Sequence, residues 1–437
     1  MSPPVKIGGW GRYPHVDAQL QFPASTSDCQ PLLAAPGPLI ARGLGRSYGD
    51  SSLAPRMLCT RHLDLLQSFD EATGVLQCAG GTPLAELLRV FVPRGWFLPV
   101  TPGTRFVSVG GAIASDVHGK NHHVDGSFSR HLTHIDLLLG NGEQVRTSPT
   151  EHAELFAATC GGMGLTGLIL SAGIRLKRIA GSEIVETTLK LPDLDSALAA
   201  FDAHASATYS VAWIDCLARG AGLGRSLLML GEHASDGPLQ VQPHAPRPVP
   251  LDLPPALMSR PAGLAFNQLY YQRVRRPRST RRVPLEPFFY PLDALADWNR
   301  LYGRPGFLQY QFVLPREAGA RGLREVLERI AGSGAGAFLA VLKAFGPGNA
   351  HPLSFPREGW TLAVDFKAEP AVFALLDALD RIVLEHGGRH YLAKDARMSA
   401  ATFRAGYPRW EEFEAVREHW HAIGKFASAQ SRRLGLK

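Results

Sequence analysis

Cysteine is scarce in this sequence: five in 437 residues, widely spaced, with no Cys-x-x-Cys pair. That argues against a disulfide framework and a cysteine-based zinc site, and Cys29, Cys59, Cys78, Cys160 and Cys216 read as buried thiols of a protein kept in a reducing compartment. No run of about 18 uninterrupted apolar residues occurs, so no membrane-spanning helix is expected. The opening MSPPVKIGGWGRYP has no apolar core. A secretory leader is therefore not expected, and the sequence points to a cytoplasmic protein, peripheral at the inner membrane face at most. The phosphate-loop pattern GxxxxGK[ST] is missing, which disfavours that class of nucleotide hydrolase. The run GLGRSYG lacks the third glycine of GxGxxG, and no acidic residue follows at dinucleotide spacing within a βαβ unit, so a Rossmann reading is weak. An acidic excess is also missing. The net charge is +7, which permits anionic partners without selecting one.

What the chain has in quantity is glycine, 45 residues, and in the amino-terminal part it is clustered. Val100–His123 (VTPGTRFVSVGGAIASDVHGKNHH) is dominated by small side chains and ends in His118, Lys120, His122 and His123. Ala41–Asp50 (ARGLGRSYGD) precedes it and Gly161–Ile169 (GGMGLTGLI) follows. Small residues let backbone approach a flat polar ligand, and successive N–H groups of a glycine turn can cradle a phosphate. Each loop alone reads as a tight turn. Together they predict one extended ligand wrapped by several loops. The histidine knot has metal-like spacing, but no nearby carboxylate or cysteine completes a ligand set, so no metal is expected.

The patterning predicts an α+β chain. Residues 1–35 read as irregular. A strand follows at Pro36–Ala41, more strands lie on either side of Gly74, a helix capped by Thr82 covers Gly81–Val92, and Gly95–Val100 is a strand. Gly140-Asn141-Gly142 marks a hairpin. Glu151–Thr159 is a helix and Leu168–Leu176 a strand. A second unit begins near residue 181, with a strand at Ile184–Leu191, a helix at Asp193–His204 and a strand at Ser210–Cys216. Gly237–Gly263 is proline-rich and reads as an extended connection. Six arginines between Arg273 and Arg282 read as a solvated, mobile run. Strands and amphipathic helices then alternate, the last helix closed by Gly387 and Gly388. The expected division is 1–180, 181–388 with a mobile basic loop at 237–284, and 389–437.

RGLGRSYGD, TPGTR, VGGAIASDVHGKNHH, ELFAATCGGMGLTGLI, FLQYQFVLP, VLKAFGPGNAHPLSFPREGW and YLAKDARM, in this order, resemble the family that forms the oxidising subunit of decaprenylphosphoryl-β-D-ribose 2-epimerases. These are flavoproteins of the vanillyl-alcohol oxidase type, and the resemblance runs from about Trp10 to Leu434. It implies a two-lobed FAD-binding domain of the PCMH type, a substrate domain whose antiparallel sheet covers the flavin, and a carboxy-terminal return from about Arg389. Arg42, Gly43, Leu44, Gly45, Arg46, Ser47 and Tyr48 would hold the pyrophosphate. Thr101, Pro102, Gly103, Thr104 and Arg105, with Gly110, Gly111, Ala112, Ser115, His118, Gly119, Asn121 and His122, would line the dinucleotide and ring. Gly162, Gly164, Gly167 and Ile169 would close the adenine side. Arg46 stands where related sugar oxidases carry a flavin-linked histidine, so the resemblance implies non-covalent FAD.

Oxidising a secondary alcohol requires a base for the hydroxyl proton and stabilisation of the charge that develops on the ring. The resemblance makes Lys394, Tyr391 and His118 the catalytic candidates, with Lys394 either a desolvated base or a charged anchor. Tyr48, Lys120, Trp213, Gln309, Gln311, Lys343, Thr361 and Ala363 would form the substrate site. Gln309 and Gln311 alternate, so both face one way. Ala363 replaces a reactive cysteine of the mycobacterial-type sequence, and Thr361 replaces an asparagine. The implied substrate is a lipid-linked ribose phosphate, with a short-chain reductase on another chain completing an epimerisation toward the arabinose of cell-wall arabinan. The arginine run would meet the headgroup or anionic lipid. It is not expected to bind nucleic acid, since no aromatics interleave with it. The alternative is an oxidase of a soluble alditol or aldonolactone.

Overall fold

The computed structural model describes residues 3–241, 246–252, 254, 259–335 and 339–437. Parts of the proline-rich connection, and Ala337 and Phe338 of the AFLAVLKAFG run, lie outside the described residues. Three sheets organise the fold. The first is four-stranded, in the order Val5–Gly8, His15–Gln21, Arg56–Cys59, Ile40–Arg42. Its first pair is antiparallel and the rest parallel. Two of its strands, and the helix Thr26–Ala34 capped by Ser25, fall in the stretch expected to be irregular. Local patterning there is broken by glycine and proline; His15–Gln21 is fixed by pairing with Arg56–Cys59 from far along the chain, and Val5–Gly8 pairs onto its other edge.

The second sheet is antiparallel, in the order Leu66–Asp70, Val75–Ala79, Leu168–Arg175, Leu132–Leu138, Gln144–Thr147. The Gly140–Gly142 hairpin forms as expected, with Gly142 at φ +87°. The helix after Gly81 starts at Leu84, and Pro83, not Thr82, precedes it. Trp96–Phe97 is the only stretch of Gly95–Val100 that is strand.

The third sheet has eight antiparallel strands: Arg278–Pro284, Glu183–Leu191, Ser226–His233, Tyr209–Ile214, Ala340–Phe345, Gly359–Lys367, Phe307–Pro315 and Arg389–His390. One face buries Tyr310, Phe312, Leu362 and Val364 among residues of the helices Arg316–Ser333 and Pro370–Glu385. Residues of opposite parity therefore face away from those helices. The basic run is not a mobile loop. Arg278–Pro284 is the edge strand, paired with Glu183–Leu191, and the helix Arg260–Gln272 precedes it. A charged edge strand resists pairing with other chains, which suits this position.

The chain's end folds back on its start. Ala427 N donates to Leu39 O at 3.0 Å and Ala429 N to Leu53 O at 2.7 Å. Arg433 bridges Asp50 and Asp395 at 2.7 and 2.8 Å. No helix among the described residues is long and apolar enough to cross a membrane.

Candidate active site

A cavity of about 950 Å³ runs from the glycine loops to the open face of the eight-stranded sheet. At one end lies the loop after Ile40–Arg42. Gly45 sits at φ +64°, a region that favours glycine. A Cβ on Gly43 would stand 2.2 Å from Ser108 Oγ. The backbone N–H groups of Gly43, Leu44, Gly45, Arg46 and Ser47 donate to no protein acceptor among the described residues. Arg46 lies with its guanidinium carbon 3.9 Å from the Trp10 ring centroid, and its buried Nε has no partner among the described residues. Five unclaimed N–H groups beside a guanidinium form the donor set a pyrophosphate needs. Gly103, Gly110, Gly111, Gly164 and Gly167 continue the wall, and none places a side chain in the way. The residues present therefore fit FAD.

The other end is built by strand alternation. Gln309 and Gln311 lie on Phe307–Pro315, Thr361 and Ala363 on Gly359–Lys367, Lys343 on Ala340–Phe345 and Trp213 on Tyr209–Ile214, all lining the cavity. His118, Lys120, Tyr48, Tyr391 and Lys394 converge on the same space. Gln311 pairs in register with Ala363, and Thr361 with Lys343, so the face is one continuous patch.

A hydrogen-bond chain fixes the state of His118. Thr361 Oγ1 donates to Phe312 O at 2.8 Å, so toward Gln311 it can only accept. Gln311 Nε2 donates to it at 3.2 Å and also contacts His118 Nε2 at 3.0 Å. The Gln311 amide therefore has no lone pair to offer, and His118 Nε2 must accept. Burial pushes the His118 pKa well below its ordinary value, reinforced by Lys343, His122 and Lys394. The ring is thus neutral with its proton on Nδ1, an atom that is buried and unpartnered among the described residues. Phe345, Phe355 and Tyr391 surround the ring at centroid distances of 4.8, 5.6 and 5.1 Å.

Three lysines face the cavity. Lys343 makes no hydrogen bond among the described residues, and burial lowers its pKa to about 8. Burial, then Lys343, lowers Lys120 to about 7, and its ammonium donates to Phe288 O. Lys394 Nζ lies 3.8 Å from the Tyr48 ring centroid. Burial lowers Lys394 and the Lys343 charge adds to that, while Asp365 opposes it. Asp365 accepts from Gln309 Nε2 at 2.6 Å and Tyr302 OH at 3.4 Å, and burial raises its pKa. Glu186 also lines the cavity, paired with Arg281 at 2.9 Å.

Some expected residues serve the frame instead. Arg42 donates to Gly8 O and to Ser52. Thr101 binds the Tyr290 hydroxyl at 2.7 Å. Arg105 N donates to Asp293. Ala112 is buried in the core beneath the loop. Gly119 packs on Thr101 and Asn121, and Asn121 donates to Pro99 O and Asp125. His122 packs against Phe345, with ring centroids 4.4 Å apart and planes tilted by 47°. Gly162 packs on Ala158 O and Phe413. None of these eight lies on the cavity wall. Tyr391 does, but its hydroxyl donates to Ser115 O at 2.9 Å and burial raises its pKa, so it acts as a strut and keeps its proton. Sequence reading missed Trp10, Glu186, Phe288, Asp293 and Asp365. Period-two alternation would have found Asp365, two residues beyond Ala363 on one strand.

A family model described as an FAD binding domain matches residues 19–148. The chain is 38% identical to a decaprenylphosphoryl-β-D-ribose oxidase of Mycolicibacterium smegmatis, over 99% of this chain and 97% of that one. An uncharacterized protein of Streptomyces coelicolor is 36% identical over 81% of this chain and all of its own. An alditol oxidase of a Streptomyces species is more distant, 26% identical over 84% of this chain and 82% of its own. The chain belongs to the decaprenylphosphoryl-β-D-ribose oxidase family and is an FAD-dependent oxidoreductase acting on CH–OH groups.

Proposed function

We propose that this protein oxidises the C2 hydroxyl of a polyprenylphosphoryl-β-D-ribose to the 2-keto sugar, the first half of an epimerisation that a reductase on another chain completes. The observation that carries the reading is the single cavity joining five unclaimed backbone N–H groups to a sheet face that bears His118, Gln311, Lys343 and Lys394. FAD supplies the two-electron acceptor when bound. Gly43–Ser47 with Arg46 would hold its pyrophosphate, without a covalent link, because an arginine cannot form one. Lys394 takes the hydroxyl proton at Nζ; burial keeps its amine accessible and Asp365 stabilises the ammonium that results. His118 donates from Nδ1 to an oxygen of the reacting complex. Lys343 and Lys120, the latter freed from Phe288 O, face the phosphate. Gln309, Tyr48 and Trp213 bound the sugar.

Anaerobic mixing tests the reading. A short-chain prenylphosphoryl ribose should bleach the visible flavin band, and free ribose or an alditol should not. Equal bleaching by an alditol would select the soluble-sugar oxidase instead. Acid precipitation should release the yellow dye to the supernatant; dye retained on the pellet would refute non-covalent attachment. Lys394→Met should keep its flavin and slow bleaching by on the order of 10³-fold. An unchanged rate would remove Lys394 from proton transfer.

A further inference from the structure

The helix Arg260–Gln272 is turned inside out. Its buried positions are Gly263 and Asn267, while Leu264, Phe266 and Leu269 are 40%, 44% and 73% exposed. Nine large apolar side chains are exposed among the described residues, and three of them stand on this one helix. The helix is held from below by a polar contact. Asn267 Nδ2 donates to Asp215 Oδ1 at 2.8 Å, and Asp215 is fully buried and bound by Arg225 at 2.7 Å. Water-facing apolar residues on a polar-anchored helix suit a non-aqueous neighbour.

The charge beside it selects which neighbour. Within the arginine run, Arg281 pairs with Glu186 and Arg282 with Asp236. Arg275, Arg276 and Arg278 are exposed and form no ion pair among the described residues. An apolar protein surface would not neutralise them, whereas an anionic bilayer accepts both the apolar side chains and the cations. The position is also informative. Phe266, Tyr270 and Arg273 of this segment line the cavity, so the cavity opens beside the exposed face.

We propose that the helix Arg260–Gln272 and the following arginines dock the protein on an anionic lipid surface, with the cavity mouth against the bilayer. Leu264 and Leu269 enter the interfacial layer, and Arg275, Arg276 and Arg278 meet the headgroups. The role of the mouth as the exit for a prenyl tail rests on the substrate reading above; the docking surface itself does not.

The test is co-sedimentation of the full-length holoprotein with vesicles of phosphatidylglycerol mixed with phosphatidylcholine, and with phosphatidylcholine alone. Wild type should sediment with the mixed vesicles and be released by salt. Arg275→Ser/Arg276→Ser/Arg278→Ser should lose roughly 100-fold in affinity for them, a factor of about five per arginine. Leu264→Ser/Leu269→Ser should lose binding to the mixed vesicles, with flavin content and bleaching by a short-chain substrate unchanged. No sedimentation of wild type, or equal sedimentation of the variants, would overturn the proposal. So would concentration-dependent dimerisation of wild type that the leucine variant abolishes, since the face would then belong to a second copy. Vesicle binding that follows these expectations, together with no bleaching by any ribose lipid, would leave the docking surface standing and remove the substrate reading.

Discussion

Thr361→Val isolates the hydrogen-bond chain that sets His118. Valine keeps the shape of threonine and removes the hydroxyl that Gln311 and Phe312 share. Thr361 is 1% exposed and Gln311 6%, so water does not replace the lost group. The Gln311 N–H left without its acceptor should cost about 1–3 kcal/mol of stability, readable as a lower urea midpoint with unchanged slope. The second consequence is chemical. Without the hydroxyl nothing distinguishes the two orientations of the Gln311 amide, and the flipped form presents Oε1 to His118 Nε2. That form requires the proton on Nε2 and withdraws it from Nδ1. Loss of one aimed donor should slow anaerobic flavin bleaching by roughly 10²-fold with flavin content intact. Imidazole nitrogen chemical shifts of ¹⁵N-labelled protein should move from one tautomer toward a mixture. Thr361→Ser keeps the hydroxyl and should restore both readings. A Thr361→Val protein that retains the Nδ1–H tautomer and the full bleaching rate would refute the chain of inference, whatever its stability.

The titration shifts give two further expectations. Burial depresses His118 and holds His122 and His233 at about 4, so the unfolded chain binds protons that the folded one refuses. Stability should therefore be full above pH 6.5 and fall as the pH drops toward 4, by about 3 kcal/mol from His122 alone, seen as a falling urea midpoint; a flat profile over that window would contradict the burial of these rings. With Lys343 at about 8 and Lys120 at about 7, a phosphate-bearing ligand should raise both and draw in protons near pH 8. Calorimetry in buffers of different ionisation enthalpy should then give a heat that scales with the buffer, and an alditol without phosphate should give none.

Local signals carried much of this fold, and distant pairing carried the rest. The Gly140–Gly142 hairpin, the helix ending before Gly387 and the alternation of Gln309 with Gln311 are visible because each depends on residues a few positions apart. The strands His15–Gln21 and Arg278–Pro284 are not, because their partners lie far along the chain and their own residues are mixed or charged. Arg278–Pro284 is held by cross-strand pairs such as Thr280 with Thr187 at 2.9 Å and Arg281 with Glu186. The candidate site divides in the same way. Glycine loops marked where a ligand approaches, yet a motif does not distinguish wall from frame. Arg42 and Asn121 sit in matching positions and spend their donors on the surrounding frame.

The charge pattern of the sheet face separates roles among lysines that look equivalent in sequence. Lys343 and Lys120 are depressed by burial without a carboxylate strong enough to restore them, so each gains most from an incoming anion. Glu186 opposes the depression of Lys120 only weakly, because Arg281 already binds it. For Lys394 a carboxylate, Asp365, ranks directly after desolvation and ahead of the Lys343 charge, whereas for Lys120 the Lys343 charge outranks Glu186. Asp365 in turn is held by Gln309 and Tyr302, whose hydrogen bonds favour its charged form against burial. A lysine poised between desolvation and one fixed carboxylate can exchange its proton with little change in energy, whereas a lysine without one is better used as a fixed charge. Proton handling at Lys394 and anion binding at Lys343 and Lys120 thus follow from a single residue, Asp365, placed two positions beyond Ala363 by the pleat of one strand.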